Sequence, residues 1–410
     1  MNKSLLKKYA SLIINIGVNV QKNQDIYINC PVEAVEFGHL LAEEAYLKGA
    51  RTVTLKWSDP YLSKLAYMYS SDEALEYVPD YHIEYLKEIV EKNGCVLSIT
   101  SPDPEVLKDV DPNRIQKASR AMRSKTSFYS AHTMASKTQW CVAAYPNAVW
   151  AKKVFPTLDK EEGIEKLLEA ILNASRVTET NDPVKEWELH INNLEKYSSV
   201  LNDYSFKELR FKNSLGTDLV VGLVDNHIWA GGKEPTDKGI IFAPNIPTEE
   251  VFTMPSSTKV NGTVVSTMPL NYNGRLIENF KLTFKDGKVV EHFAEKGMED
   301  LTALLNVDEG SRGLGEVALI SYNSPISNMG ILFYNTLFDE NASCHLALGN
   351  AYPMNLVGGT NMTKEELISH DVNTSIQHVD FMFGSSDLEV IGVTKDGKEV
   401  PVFKKGNFVF

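Results

Sequence analysis

The chain has 410 residues and a formal net charge of -13, from 41 basic against 54 acidic side chains. With 43% hydrophobic and 23% charged residues it has the composition of a globular protein, and its length exceeds one ordinary core, so two domains are expected. The acidic balance argues against a general nucleic-acid or anionic-membrane binder, because both partners favour a positive surface.

Charges recur through the first residues, Met1 to Lys8, without the apolar run and small-residue cleavage site of a secretory leader. No stretch is long and apolar enough to span a membrane. A cytoplasmic home is the expectation. Apolar residues from Leu5 to Gly17 recur with helical spacing, and a strand is expected from Asp25 to Asn29. Phe37, Leu40, Leu41 and Ala45 then form the stripe of an amphipathic helix from Val35 to Lys48, with Gly49 placed to cap it. Thr52 to Lys56 is the next strand, and the order strand, helix, strand favours a parallel pair. It recurs with a helix from Ile83 to Glu91, a strand from Cys95 to Thr100, a helix around Arg114 to Arg123 and a strand from Trp140 to Ala144. This is an open α/β layer. It carries neither G-x-G-x-x-G nor G-x-x-x-x-G-K-[ST], so a nucleotide role has no support.

Two helices follow, Glu162 to Ala174 and Pro183 to Tyr197, the second with Asp182 as N-cap and proline at its first position. Beyond Leu201 the texture changes to short alternating strands, as in Glu208 to Asn213, Asp218 to Gly222 and Gly262 to Ser266. Asp286-Gly287 and Asp396-Gly397 each sit between alternating runs as hairpin turns. The expected organisation is therefore an N-terminal open α/β domain with parallel strands, 1–190, and an α+β C-terminal domain rich in antiparallel sheet, 191–410. Cys30, Cys95, Cys141 and Cys344 are widely spaced, form no Cys-x-x-Cys pair, and read as free thiols.

Every acid and histidine with a chemical setting falls in the second half. In Ile376-Gln377-His378-Val379-Asp380-Phe381-Met382-Phe383, alternation places Val379, Phe381 and Phe383 on one face and His378 with Asp380 on the other. A core histidine bonded to its neighbour is the plainer alternative. His345 and Glu340 lie in Phe338-Asp339-Glu340-Asn341-Ala342-Ser343-Cys344-His345, among small and apolar residues. Glu249-Glu250 lies in a proline-stiffened segment beside Val251 and Phe252, so one of the two acids is expected to face inward rather than form a solvated turn. Glu316 opens an apolar strand after Gly310, Gly313 and Gly315, glycines that permit close backbone approach; the alternative is the start of an edge strand.

Glu250, Glu316, Glu340, His345, His378 and Asp380 supply four carboxylates and two imidazoles. That set suits two divalent ions sharing a carboxylate, the recurring design for hydrolysis with ions ~3.5 to 4 Å apart. No His-Glu-x-x-His or Gly-x-Ser-x-Gly is present, and Cys344 beside His345 would point to the opposite face of a strand.

The segments Asn245 to Thr253, Gly313-Leu314-Gly315-Glu316, Phe338 to His345 and His378 to Met382 resemble those of the thermophilic-type metallo-aminopeptidases, the aminopeptidase T, S and PepS group. The similarity runs along the whole chain. It implies a metal-dependent aminopeptidase that works as a homodimer on peptides with a free N-terminus, with the C-terminal domain holding two divalent ions, zinc, cobalt or manganese, magnesium also being compatible. It carries ligand roles onto Glu250, Glu316, His345, His378 and Asp380, with Glu316 as the bridge, and places Tyr352 near the metals. Glu340 is a further ligand candidate.

In the expected mechanism the ions activate a water and polarise the first peptide carbonyl, Glu316, or less readily Glu249, accepts the water proton, and Tyr352 bonds the oxyanion. The rivals are another two-metal hydrolase, an amidase or phosphoesterase for which Arg312 is the nearest arginine in sequence, and a ligand-binding protein with a structural ion.

Overall fold

The computed structural model describes residues 2–272 and 274–410. They form two compact units. The first comprises residues 1–189 with 233–247, and the second comprises 190–232 with 248–410. The return of 233–247 to the first unit follows from pairing that no local pattern reveals, since Val142 N donates to Pro244 O and Ile246 N to Val142 O.

The first unit holds a four-stranded parallel sheet in the order Thr52–Ser58, Asp25–Pro31, Cys95–Thr100, Trp140–Ala144. Helix Val35–Lys48 covers it with Phe37, Leu40, Leu41 and Ala45 buried, and Gly49 ends it at φ 105°, its N–H bonding the carbonyls of Ala45 and Tyr46. Only a residue free of Cβ takes that left-handed turn without strain. Two helices depart from expectation. The opening one, Lys3–Leu12, widens into a π turn over Ile13–Gly17, and the one expected around Arg114 to Arg123 runs from Pro112 to Met134.

The second unit is dominated by antiparallel sheet, as expected for this α+β half. One sheet has nine strands, and the two Asp-Gly hairpins lie in it. The same dipeptide makes different turns there. Asp286 and Gly287 both have positive φ, 47° and 82°, the pattern of a two-residue turn, whereas in the loop 394–398 Gly397 takes φ 88° while Asp396 does not.

A smaller antiparallel sheet has four strands in the order His378–Met382, His345–Gly349, Leu314–Leu319, Val251–Thr253. One face supplies Val251, Val317, Leu319, Leu346, Leu348 and Phe381 to the main apolar core, which also contains Phe280, Leu282 and Phe284 of the nine-stranded sheet. Period-two alternation turns the remaining residues to the other face. The mixed architecture, a parallel layer followed by antiparallel sheets, is the fold class read from the sequence. All four cysteines are free and buried. Among the described residues no helix is long and apolar enough to cross a membrane.

Candidate metal centre

On that second face, Glu316 lies in register with Ala347, and Ala347 in register with Asp380. His345 is two residues before Ala347, and His378 pairs with Gly349, two residues after it. The imidazoles therefore flank a row of two carboxylates separated by a single methyl group. Ala347 is fully buried and is the floor between Glu316 and Asp380. The sequence signal for it was the small-residue spacing His345-x-Ala347-x-Gly349.

Glu316 reaches this face because the strand bulges. Leu314 pairs with Leu348 and Glu316 with Ala347, so two steps on one strand meet one on the other. Leu314 and Val317 thus both face the core while Glu316 turns out of it. A Cβ on Gly315 would stand 2.2 Å from the carbonyl oxygen of Asn350, which explains the glycine. That carbonyl has a second task. It lies 2.7 Å from His378 Nδ1, which donates to it and leaves Nε2 facing the carboxylates.

The distances link these groups into one centre. His345 Nε2 is 3.2 Å from Glu250 Oε2 and 3.4 Å from Glu316 Oε1; His378 Nε2 is 3.4 Å from Glu316 Oε2 and 3.2 Å from Asp380 Oδ1. Two triads result, Glu250-Glu316-His345 and Glu316-His378-Asp380, each with one donor atom per residue within 4.8 Å of the others. Glu316 belongs to both. Glu340 is in neither triad, though its negative neighbours include Asp380 and Glu250. Tyr352 packs its ring 4.6 Å from that of His378 and 6.3 Å from that of Phe252.

Both members of the Glu249-Glu250 pair are buried, where the sequence led us to expect one. Glu249 turns toward His190, 3.8 Å away, and only Glu250 enters the centre. Cys344 faces the other way, its thiol donating to the carbonyl of Ile320 at 3.4 Å, and burial pushes it up to about 12. It forms no dyad with His345.

The electrostatics are those of a site built for positive charge. Burial raises Glu250 above the ordinary carboxylate range despite His345. Burial, then the charges of Asp380 and Glu250, raises Glu340 well above it. Glu316 is the exception, since the contacts with His345 and His378 outweigh its burial and hold it at about 2. The histidines respond in kind. Against burial, Glu250 and Glu316 raise His345 well above its ordinary value, and Asp380 with Glu316 pushes His378 up to about 11. Taking several carboxylates out of water costs several kcal/mol each unless cations compensate, even after the protein and solvent relax around them.

A model for the thermophilic metalloprotease (M29) family matches residues 2–408. The chain belongs to that family. The resemblance read from four sequence segments is thereby borne out. Aminopeptidase 2 of Geobacillus stearothermophilus is 45% identical over 99% of this chain and 98% of its own length, and aminopeptidase AmpS of Bacillus subtilis 44% identical with the same coverage. The structure of wild-type AmpT from Thermus thermophilus superposes over all of both chains with a TM-score of 0.93 at 38% identity. This member of the family is a metallo-aminopeptidase, a hydrolase.

The residues fit the divalent metal that the family implies. Glu250 Oε2 is buried without a well-directed hydrogen bond, and carboxylate with imidazole is the donor chemistry of zinc, cobalt and manganese sites. His345 Nδ1 is likewise buried without a partner, so packing rather than a hydrogen bond orients that ring, in contrast to His378. No phosphate-binding cation is supplied by Arg312, whose guanidinium is committed to the carbonyl of Val289 and the side chain of Asn306.

Proposed function

We propose that this metallo-aminopeptidase removes the N-terminal residue of peptides with two divalent ions, one held by Glu250, His345 and Glu316 and the other by Glu316, His378 and Asp380. The observation that carries this is the position of Glu316 in both triads, with one oxygen toward each histidine. Bound there, the ions lower the pKa of a water toward neutrality and polarise the scissile carbonyl.

The chain's own groups do the rest. Glu340 and Asp380 line a small cavity beside the centre, where a bound α-ammonium group would draw the raised Glu340 carboxyl into its charged form. This selects a free N-terminus by charge. A carboxylate of the centre that is not fully engaged as a ligand accepts the proton of the attacking water and returns it to the leaving amine. Tyr352 stays protonated through the neutral range, because burial and then the surrounding carboxylates raise it, and it donates to the developing oxyanion. With Arg312 engaged elsewhere, a phosphoester substrate has little to favour it. Four buried free thiols suit a reducing cytoplasm, and the family resemblance supports a homodimer.

The test is hydrolysis of leucine p-nitroanilide beside its N-acetylated form, by protein stripped with chelator and resupplied with zinc, cobalt or manganese. Cleavage of the free amine alone, restored by metal, is the expected result. Loss of metal dependence, or equal cleavage of the acetylated substrate, would remove the proposal's support.

A further inference from the structure

A cavity of 660 Å³ lies within the second unit. The cavity beside the metal centre, 50 Å³ in volume, adjoins it, since Pro269 lines both and three chain segments run from the lining of one to that of the other. The chain passes from Leu270 back to Thr267, from Glu340 on to Ser343, and from Asp380 on to Gly384, leaving the small cavity for the large one each time. Asp380 to Gly384 spans about 13 Å of extended chain, the reach of about four residues of bound peptide.

The walls suit a peptide backbone. Ser214, Ser327 and Ser343 line the large cavity together with apolar residues such as Leu215 and Ile331. Thr267 Oγ1, in the large cavity, and Asn335 Nδ2, in the small one, are buried polar atoms with no hydrogen-bond partner. Asp387 is the one charged residue among those lining the large cavity, and its carboxylate is already taken by Ser214 N at 2.8 Å and Ser385 Oγ at 2.7 Å. Nothing there selects a charged side chain.

We infer that this groove binds the substrate on the C-terminal side of the scissile bond, over about three residues, so that the enzyme prefers oligopeptides to dipeptides. The inference rests on the aminopeptidase proposal above. Such a substrate has a single residue ahead of the cleaved bond, and a cavity in the size range that encloses a whole ligand exceeds what that one side chain needs. The chain after the bond fills it.

The experiment measures kcat/KM for Leu-Ala-NH2, Leu-Ala-Ala-NH2 and Leu-Ala-Ala-Ala-NH2, amidated so that no terminal carboxylate approaches the acids. With the wild-type enzyme the value should rise about tenfold along the series, as one or two backbone hydrogen bonds are added. Leu215→Trp and Ser327→Trp, on a turn and a short helix at separate walls of the groove, should each bring the ratio of longest to shortest peptide close to one. A variant that merely folds poorly lowers all three values together and keeps the wild-type ratio. A flat wild-type series, or variants that keep the ratio, would overturn the groove. Failure to cleave leucine p-nitroanilide with metal supplied would instead overturn the aminopeptidase proposal, so the two failures are distinct.

Discussion

Glu316 and Asp380 lie in one row across three strands with only the methyl group of Ala347 between them. Any larger side chain at 347 would occupy the space where their oxygens converge with the two imidazoles. Because Glu316 also touches both histidines, its removal should empty both halves of the centre. Glu316→Gln is expected to lower metal content, read by elemental analysis, and kcat/KM together. Groups that merely orient a metal ligand are worth about 10- to 100-fold, so the loss of a shared ligand should exceed about 100-fold. Glu249→Gln, on the neighbouring acid that faces His190, should keep its metal; equal metal loss in both variants would contradict the assignment.

Metal loading should release protons. In the metal-free protein His345 is raised well above its ordinary value and His378 to about 11, so both are protonated at neutral pH. A histidine must be neutral to bind metal, hence apparent affinity should climb with pH from 6 to 9, and calorimetry in buffers of different ionisation enthalpy should show protons leaving. The stability sign is the reverse of the affinity sign. Raised histidines stabilise the metal-free fold fully below their unfolded value of ~6.5, and that contribution is lost progressively as pH rises from there through the folded values. The melting temperature of the chelated protein should therefore fall steadily as pH rises above ~6.5, and a flat profile from about pH 7 to 9 would argue against charged histidines.

Gly315→Ala should injure the centre from outside it. The new Cβ would meet the Asn350 oxygen at 2.2 Å, and that oxygen is the partner of His378 Nδ1. Overpacking of this kind costs about 1–3 kcal/mol, visible as a lower melting temperature. Metal affinity should fall about 10- to 100-fold with it, because the tautomer and angle of His378 are no longer fixed. An unchanged affinity would show that Asn350 does not orient that ring.

Tyr352→Phe separates oxyanion bonding from metal binding. The phenyl ring preserves the packing on His378 and Phe252 while the hydroxyl is lost. We expect kcat to drop on the order of 10²-fold with metal content unchanged and KM little altered. Loss of metal, or full activity, would each contradict the role.

Much of this was legible in the sequence because it is local. The stripe of Phe37, Leu40, Leu41 and Ala45 with Gly49 behind it fixed a helix by its own periodicity, and the alternation from Val379 to Phe383 placed His378 beside Asp380 before any partner strand was known. Four motifs in order also carried the family. What the sequence could not decide depends on register, which is set by packing and not by any single strand. Glu249 and Glu250 are equivalent to local patterning, yet the antiparallel pairing of Val251–Thr253 with Leu314–Leu319 sends only Glu250 to the centre. The bulge at Gly315 sets which face Glu316 occupies, and the chain at Asn350 comes close enough there to exclude a side chain. Ala347 carries no chemistry of its own, and the small-residue spacing His345-x-Ala347-x-Gly349 does not by itself say what it separates. Its importance arises only when neighbouring strands bring a carboxylate to each side of it, and that juxtaposition is a property of the folded sheet alone.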